Sequence, residues 1–268
     1  MTIRVVMAGA TGWVGKALIP AIAAQADMKL VGAVSRSAAG QDVGAVVGGP
    51  ANGVIVSASL VDALTTASDV LVDYTKPDVV KGHVLFAISR GLPVVIGTSG
   101  LGAADYAEID AAARANRVGV LAAGNFSITA TLMKRFALMA AKYVPDVEVI
   151  DYASARKPDA PSGTARELAE ALAEVRQAST ARPVSEISGL PGTRGAAVGV
   201  GEGVQVHALR LPSYILSCEA LFGLPDERLT IRHDAGSSAS PYVAGTLLAI
   251  RKVREITGLV RGLDALLD

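Results

Sequence analysis

Cysteine is almost absent from this chain. Cys218 stands alone, which excludes an intrachain disulfide framework and any cysteine-cluster metal site. Histidine is scarce as well: His83, His207 and His233 lie far apart without ligand spacing, so no metal site is expected. Neither sign of charge dominates. The 25 basic and 25 acidic residues cancel, and such a balance offers neither a nucleic-acid surface nor a polybasic membrane anchor. Hydrophobic residues make up 51%, but much of this is Ala and Val, and no run approaches the roughly 20 apolar residues of a membrane span. Residues 1–4 lead directly into a strand pattern without signal-peptide character. The expectation is a protein of the reducing cytoplasm with neither nucleic-acid nor membrane partners, and its 268 residues allow one large domain or two modest ones.

The apolar run Ile3-Arg4-Val5-Val6-Met7-Ala8 suits a buried parallel strand. It passes into Gly9-Ala10-Thr11-Gly12-Trp13-Val14-Gly15 and then a helical pattern, which Pro20 is expected to kink or shorten. In this strand–turn–helix context Gly9 permits a tight turn, Gly12 lets a pyrophosphate approach the backbone, and Gly15 lets helix and strand pack closely. The spacing is a variant of the usual dinucleotide fingerprint. A second strand, 29–34, ends at Ser35-Arg36-Ser37, where an NAD enzyme places a carboxylate for the ribose 2′-hydroxyl. Here Arg36 and flanking hydroxyls suit a 2′-phosphate. That favours NADPH, whereas Arg36 stacked on adenine would leave NADH usable.

Residues 38–52 are expected as loop and 57–67 as a short helix. Two later buried strands end in the small polar loops Asp73-Tyr74-Thr75 and Gly97-Thr98-Ser99. Ligands of open parallel sheets bind outside the strand carboxyl ends, so these loops are expected to flank a nicotinamide. A further strand, 118–122, leads to Gly124-Asn125-Phe126-Ser127. Alternating strands and helices predict an α/β fold, a doubly wound Rossmann sheet over 1–124 completed by 236–268. Residues 125–235 are expected as a second, α+β domain for substrate and oligomerisation. It has a strand at 146–152, a long loop at 179–193, and strand-like runs at 195–200, 204–211, 213–222 and 228–233. Short turns join those runs into an antiparallel or mixed sheet, with an apolar face that pairing between subunits would cover. A helix at 240–256 and a tail at 259–267 return to the first domain.

The most informative stretch is Arg156-Lys157-Pro158-Asp159-Ala160-Pro161-Ser162-Gly163-Thr164, followed by a helical pattern. Ser162, Gly163 and Thr164 stand where N–H groups and hydroxyls converge on a helix mouth, a ready anion site. Lys157 adds a positive charge, and the prolines stiffen the loop. A plain N-cap beside a surface lysine would use the same residues.

On these residues the chain resembles the dihydrodipicolinate reductase family over nearly its whole length. The resemblance rests on Gly9 to Gly15, Asp73-Tyr74-Thr75-Lys76-Pro77, Gly97-Thr98-Ser99-Gly100, Asn125-Phe126-Ser127 and, most specifically, Lys157 to Thr164. It implies NAD(P)H-dependent reduction of 4-hydroxy-tetrahydrodipicolinate in lysine and diaminopimelate biosynthesis, by a homotetramer built through the second domain's sheet. Cofactor contacts are expected at Gly9, Thr11, Gly12, Trp13, Val14, Arg36, Tyr74, Thr75, Gly97, Thr98, Asn125 and Phe126. Substrate contacts are expected at Lys157, Ser162, Gly163 and Thr164, with Lys157 also the catalytic candidate.

One departure stands out. The family's His-His pair, whose first member is its presumed general acid, is replaced by Ala153-Ser154, and an Arg expected after His233 is missing from Asp234-Ala235-Gly236-Ser237-Ser238. The proton would then come from Lys157, from Tyr152 or from water. The departure also admits a divergent imine or carbonyl reductase acting on another small carboxylate, or a non-catalytic nucleotide-binding sensor.

Overall fold

A computed structural model describes residues 2–181, 186 and 195–267. The chain divides into two compact units, Met1–Ile128 with Ala239–Asp268, and Thr129–Ser238. The loop expected at 179–193 lies largely outside the described residues.

The first unit alternates strand and helix: β1 (Ile3–Ala8), α1 (Trp13–Ala23), β2 (Met28–Val34), α2 (Val43–Val46), β3 (Val56–Ser57), α3 (Leu60–Ala63), β4 (Val70–Asp73), α4 (Pro77–Ser89), β5 (Val94–Ile96), α5 (Ala103–Asn116) and β6 (Gly119–Ala122). The returning segment adds α8 (Ser240–Lys252) and β12 (Gly258–Arg261). The seven strands lie in the order β12-β6-β5-β4-β1-β2-β3, every pairing parallel. Val5, Met7, Val70 and Val72 pack on one face with Leu18, Ile19, Leu247 and Ile250. Val6, Ala8, Leu71 and Val94 pack on the other with Val84, Ile88 and Ile109. Neighbouring residues of one strand thus serve opposite cores, which is why these strands are unbroken apolar runs.

Several local expectations need correction. The first helix runs through Pro20 to Ala23, because Leu18, Ile19 and Ile22 on its core face are buried on both sides of the proline. The helix expected at 57–67 is instead β3 and the single turn α3, started by Ser59, which accepts the Asp62 N–H at 3.2 Å. The loop expected at 38–52 contains α2, capped by Asp42 accepting the Ala45 N–H at 3.2 Å. The helix expected to reach 256 ends at Lys252, followed by the 3-10 turn Val253–Glu255. The tail contributes a strand, Gly258 to Arg261 pairing with Gly119 to Ala122.

The second unit contains α6 (Ile128–Ala141), β7 (Asp146–Ala153), α7 (Gly163–Val175), β8 (Ala196–Val198), β9 (Val204–Arg210), β10 (Leu216–Leu224) and β11 (Glu227–Ala235). The sheet order is β11-β10-β7-β9-β8. Its β7–β9 pair is parallel and the others antiparallel, so the sheet is mixed. Val147, Val149, Cys218, Phe222 and Val206 form a core on one face with Met133, Ala137, Leu168 and Leu172.

Candidate active site

The glycines after β1 build a cradle. Gly9 holds φ at +80°, and a Cβ there would stand 2.3 Å from the Tyr74 carbonyl oxygen. A Cβ on Gly15 would stand 2.4 Å from the Gly9 carbonyl oxygen. Gly12 caps α1 without a side-chain hydrogen bond, so its first N–H groups meet no capping side chain and can receive an anion. This arrangement fits the pyrophosphate of a dinucleotide. At the end of β2 the Thr11 and Ser35 hydroxyls lie 2.6 Å apart, and those of Ser35 and Ser37 3.2 Å. Arg36 is exposed in the turn Arg36–Ala38. Trp13 is 56% exposed and meets Tyr242 edge-on at 5.6 Å. Val14 packs partly into the core.

Asp73 organises the two polar loops, a role that sequence reasoning missed. It is fully buried at the end of β4. Its Oδ1 accepts the Thr75 N–H at 2.9 Å, the Thr75 hydroxyl at 2.6 Å and the Thr98 hydroxyl at 3.0 Å. Its Oδ2 lies 2.8 Å from Nδ1 of His83. Thr75 and Thr98 are therefore brought together, with their hydroxyl protons given to Asp73. The Tyr74 hydroxyl pairs with that of Thr246 at 2.8 Å, and its ring tilts onto Phe126 at 5.8 Å. Burial pushes the Tyr74 phenol above its ordinary pKa. Phe126 is itself buried. Both residues, expected as cofactor contacts, spend their rings on the core of the unit, and their carbonyl oxygens pack against Gly9 and Gly245. Asn125 turns back to accept the Ser127 N–H at 2.8 Å, a local Asx turn.

In the second unit, Ser162 caps α7 and accepts the Ala165 N–H at 3.4 Å. Its own hydroxyl and N–H both donate to Asp151, each at 2.7 Å. Ser162 is buried, and its bonds to Asp151 and Ala165 set the helix mouth. Gly163 is exposed and Thr164 half-buried; their N–H groups open the helix, with no partner preceding them in its ladder. Lys157 Nζ lies 2.8 Å from Asp159 Oδ1, and this ammonium holds the Asp159 carboxyl below its usual range. Arg210 Nη2 donates to Asp151 Oδ2 at 2.8 Å and to the Asp159 carbonyl at 2.6 Å.

Tyr152 does not stand as an acid at this loop. The pleat turns it to the face opposite Asp151, where its hydroxyl donates to Glu219 at 3.1 Å and the Arg232 guanidinium lies 4.7 Å above its ring. Burial pushes its pKa up. Ala153 is fully buried and brings no titratable group. Asp151 and Arg210 were also missed. One signal was available: in β7 Asp151 shares the alternation of Val147 and Val149, and a carboxylate on that apolar face must have a partner.

The parallel sheet in this order, with a glycine cradle where β1 ends, defines a dinucleotide-binding Rossmann fold, accompanied by a unit whose loop from Lys157 to Thr164 opens a helix. Family models described as "Dihydrodipicolinate reductase, N-terminus" and "Dihydrodipicolinate reductase, C-terminus" match residues 3–126 and 129–267. A 4-hydroxy-tetrahydrodipicolinate reductase of Synechococcus elongatus is 43% identical, covering 99% of this chain and 98% of its own. Another, from Desulfitobacterium hafniense, is 39% identical over 99% of both chains. The solved dipicolinate-bound dihydrodipicolinate reductase of Paenisporosarcina sp. TG-14 superposes with a TM-score of 0.85 at 34% identity, covering 99% of each chain. The chain belongs to the dihydrodipicolinate reductase family and is an NAD(P)H-dependent reductase. These three relatives are all named as reductases, and none as a non-catalytic sensor.

Proposed function

We propose that this chain reduces a C=N or conjugated C=C bond in a small cyclic dicarboxylate of the 4-hydroxy-tetrahydrodipicolinate type, with NADPH as the preferred donor. The observation that carries the reading is the loop from Lys157 to Thr164, which offers one ammonium and a helix mouth to a carboxylate. The dipicolinate named with the Paenisporosarcina structure is a dicarboxylate of this kind. When bound, the nicotinamide supplies the hydride. Gly9, Gly12 and the start of α1 hold its pyrophosphate, and Arg36 with Ser35 and Ser37 holds a 2′-phosphate. Thr75 and Thr98, fixed by Asp73, line the cofactor side. In unit two, Gly163 and Thr164 grip a carboxylate, while Lys157 leaves Asp159 to stabilise developing charge and to deliver a proton from Nζ.

Ala153 favours a second reading, a divergent substrate whose reduction needs no histidine acid. A cytoplasmic setting and a homotetramer are part of the proposal.

The test is calorimetric titration with dipicolinate. The wild type is expected to bind, and Lys157→Ala to bind about 10–100-fold more weakly, the worth of a charged hydrogen bond. A wild-type protein that ignores dipicolinate but binds NADPH would overturn the dicarboxylate reading in favour of a divergent substrate.

A further inference from the structure

Asp151 poses an electrostatic problem. Its carboxylate is fully buried, directly behind Ser162 at the mouth of the helix proposed to receive an anion. A buried carboxylate is costly unless paired. Left uncompensated here, it would also repel an arriving anion. Arg210 is the cation that answers it, at 2.8 Å. In the parallel pairing of β7 with β9, Arg210 stands opposite Ala153, the last residue before the loop leaves the sheet. The same Nη2 reaches into the loop to the Asp159 carbonyl at 2.6 Å, and the Asp159 side chain is the partner of Lys157. One guanidinium therefore joins the strand, the carboxylate that holds the capping Ser162, and the loop that carries the ammonium. A lysine would supply the charge without the planar fork that serves several acceptors at once.

We propose that Arg210 is a positioning residue for the carboxylate-binding loop: it neutralises Asp151 and pins the loop at Asp159, fixing where Lys157 and the N–H groups of Gly163 and Thr164 are presented. The inference rests on the carboxylate reading above, but it also makes a claim about the loop that holds without any ligand.

The experiment follows both through Arg210→Met, Arg210→Lys and the double variant Asp151→Asn/Arg210→Met in the full chain. Two quantities are read: hydrogen exchange of residues 154–166 and the Kd for dipicolinate, with NADPH titration and circular dichroism as controls of fold. Arg210→Met is expected to exchange at least about tenfold faster in that loop and to bind dipicolinate about 10–100-fold more weakly, the range for a charged hydrogen bond lost, with NADPH affinity within about twofold. Arg210→Lys is expected to lie between, and Asp151→Asn in the Met background to recover part of the dicarboxylate affinity by removing the stranded charge. If Arg210→Met does not fold, Arg210→Lys alone decides by the same two readouts. Unchanged exchange in the loop overturns the inference, as does wild-type dicarboxylate affinity in a folded variant. If the wild type itself ignores dipicolinate, the dicarboxylate reading falls, and loop exchange alone decides the role of Arg210.

Discussion

The ring of Tyr74 fills the space beside Gly97, where an added Cβ would lie 2.1 Å from a ring carbon. The loops after β4 and β5 meet this closely only because residue 97 has no side chain. Gly97→Ala is therefore expected to displace the ring, break its 2.8 Å bond to Thr246 and cost about 1–3 kcal/mol, as overpacking does. It should also weaken NADPH binding, because Thr98 shifts with it. Thermal melts and NADPH titration check both effects, and an unchanged Tm would contradict the packing described.

Arg36 is exposed where β2 ends, beside the hydroxyls of Ser35 and Ser37. Arg36→Ala is expected to raise KM for NADPH about tenfold or more, the worth of a charge-assisted hydrogen bond, with KM for NADH nearly unchanged. Equal losses with both cofactors would show that Arg36 serves the adenine and not a 2′-phosphate.

Asp69 accepts the Arg4 N–H, Nε and Nη2 at 2.8, 2.9 and 2.8 Å. These bonds lower its pKa from 3.8 to about 2. A carboxyl whose folded pKa is depressed stabilises the fold fully above its unfolded pKa and loses that contribution as pH falls through the folded one. Asp69→Asn should therefore lower stability at pH 7 by about 1 kcal/mol, a figure discounted for the solvent reaching Arg4. The difference from wild type should shrink between pH 4 and 2. Urea titrations across that range measure it, and a gap that widens on acidification would contradict the assignment.

Cys218 is 2% exposed, and burial pushes its thiol up to about 12. At pH 8 only about one thiol in ten thousand would be ionised. Ellman's reagent is expected to leave the native protein unmodified for hours and to titrate one thiol once urea unfolds it. Rapid reaction of the native protein would place Cys218 outside the core.

The buried strands were legible because both faces of the parallel sheet are covered, so each strand carries an unbroken apolar run. The cradle was legible because three glycines keep fixed spacing between strand and helix. The single turns α2 and α3 were not, since four residues hold no period and the caps Asp42 and Ser59 decide them. The strand β12 escaped notice because its pairing with β6 comes from tertiary contact and not from its own composition. Within the site, Lys157 to Thr164 could be read directly. The groups behind it could not: Arg210 lies 59 residues from Asp151, and Thr98 lies 25 from Asp73, and a sequence pattern does not reveal partners at such separations.

Reduction of a cyclic dicarboxylate without the histidine pair is tested most simply by NADPH oxidation with 4-hydroxy-tetrahydrodipicolinate generated in place by a synthase. The expected result is turnover within the ordinary enzymatic range of about 1–10³ s⁻¹, largely lost in Lys157→Ala. A protein that binds NADPH yet oxidises none of it above background would contradict the proposed reaction, and would mean that the loss of the histidine pair at Ala153 and Ser154 marks a change of substrate.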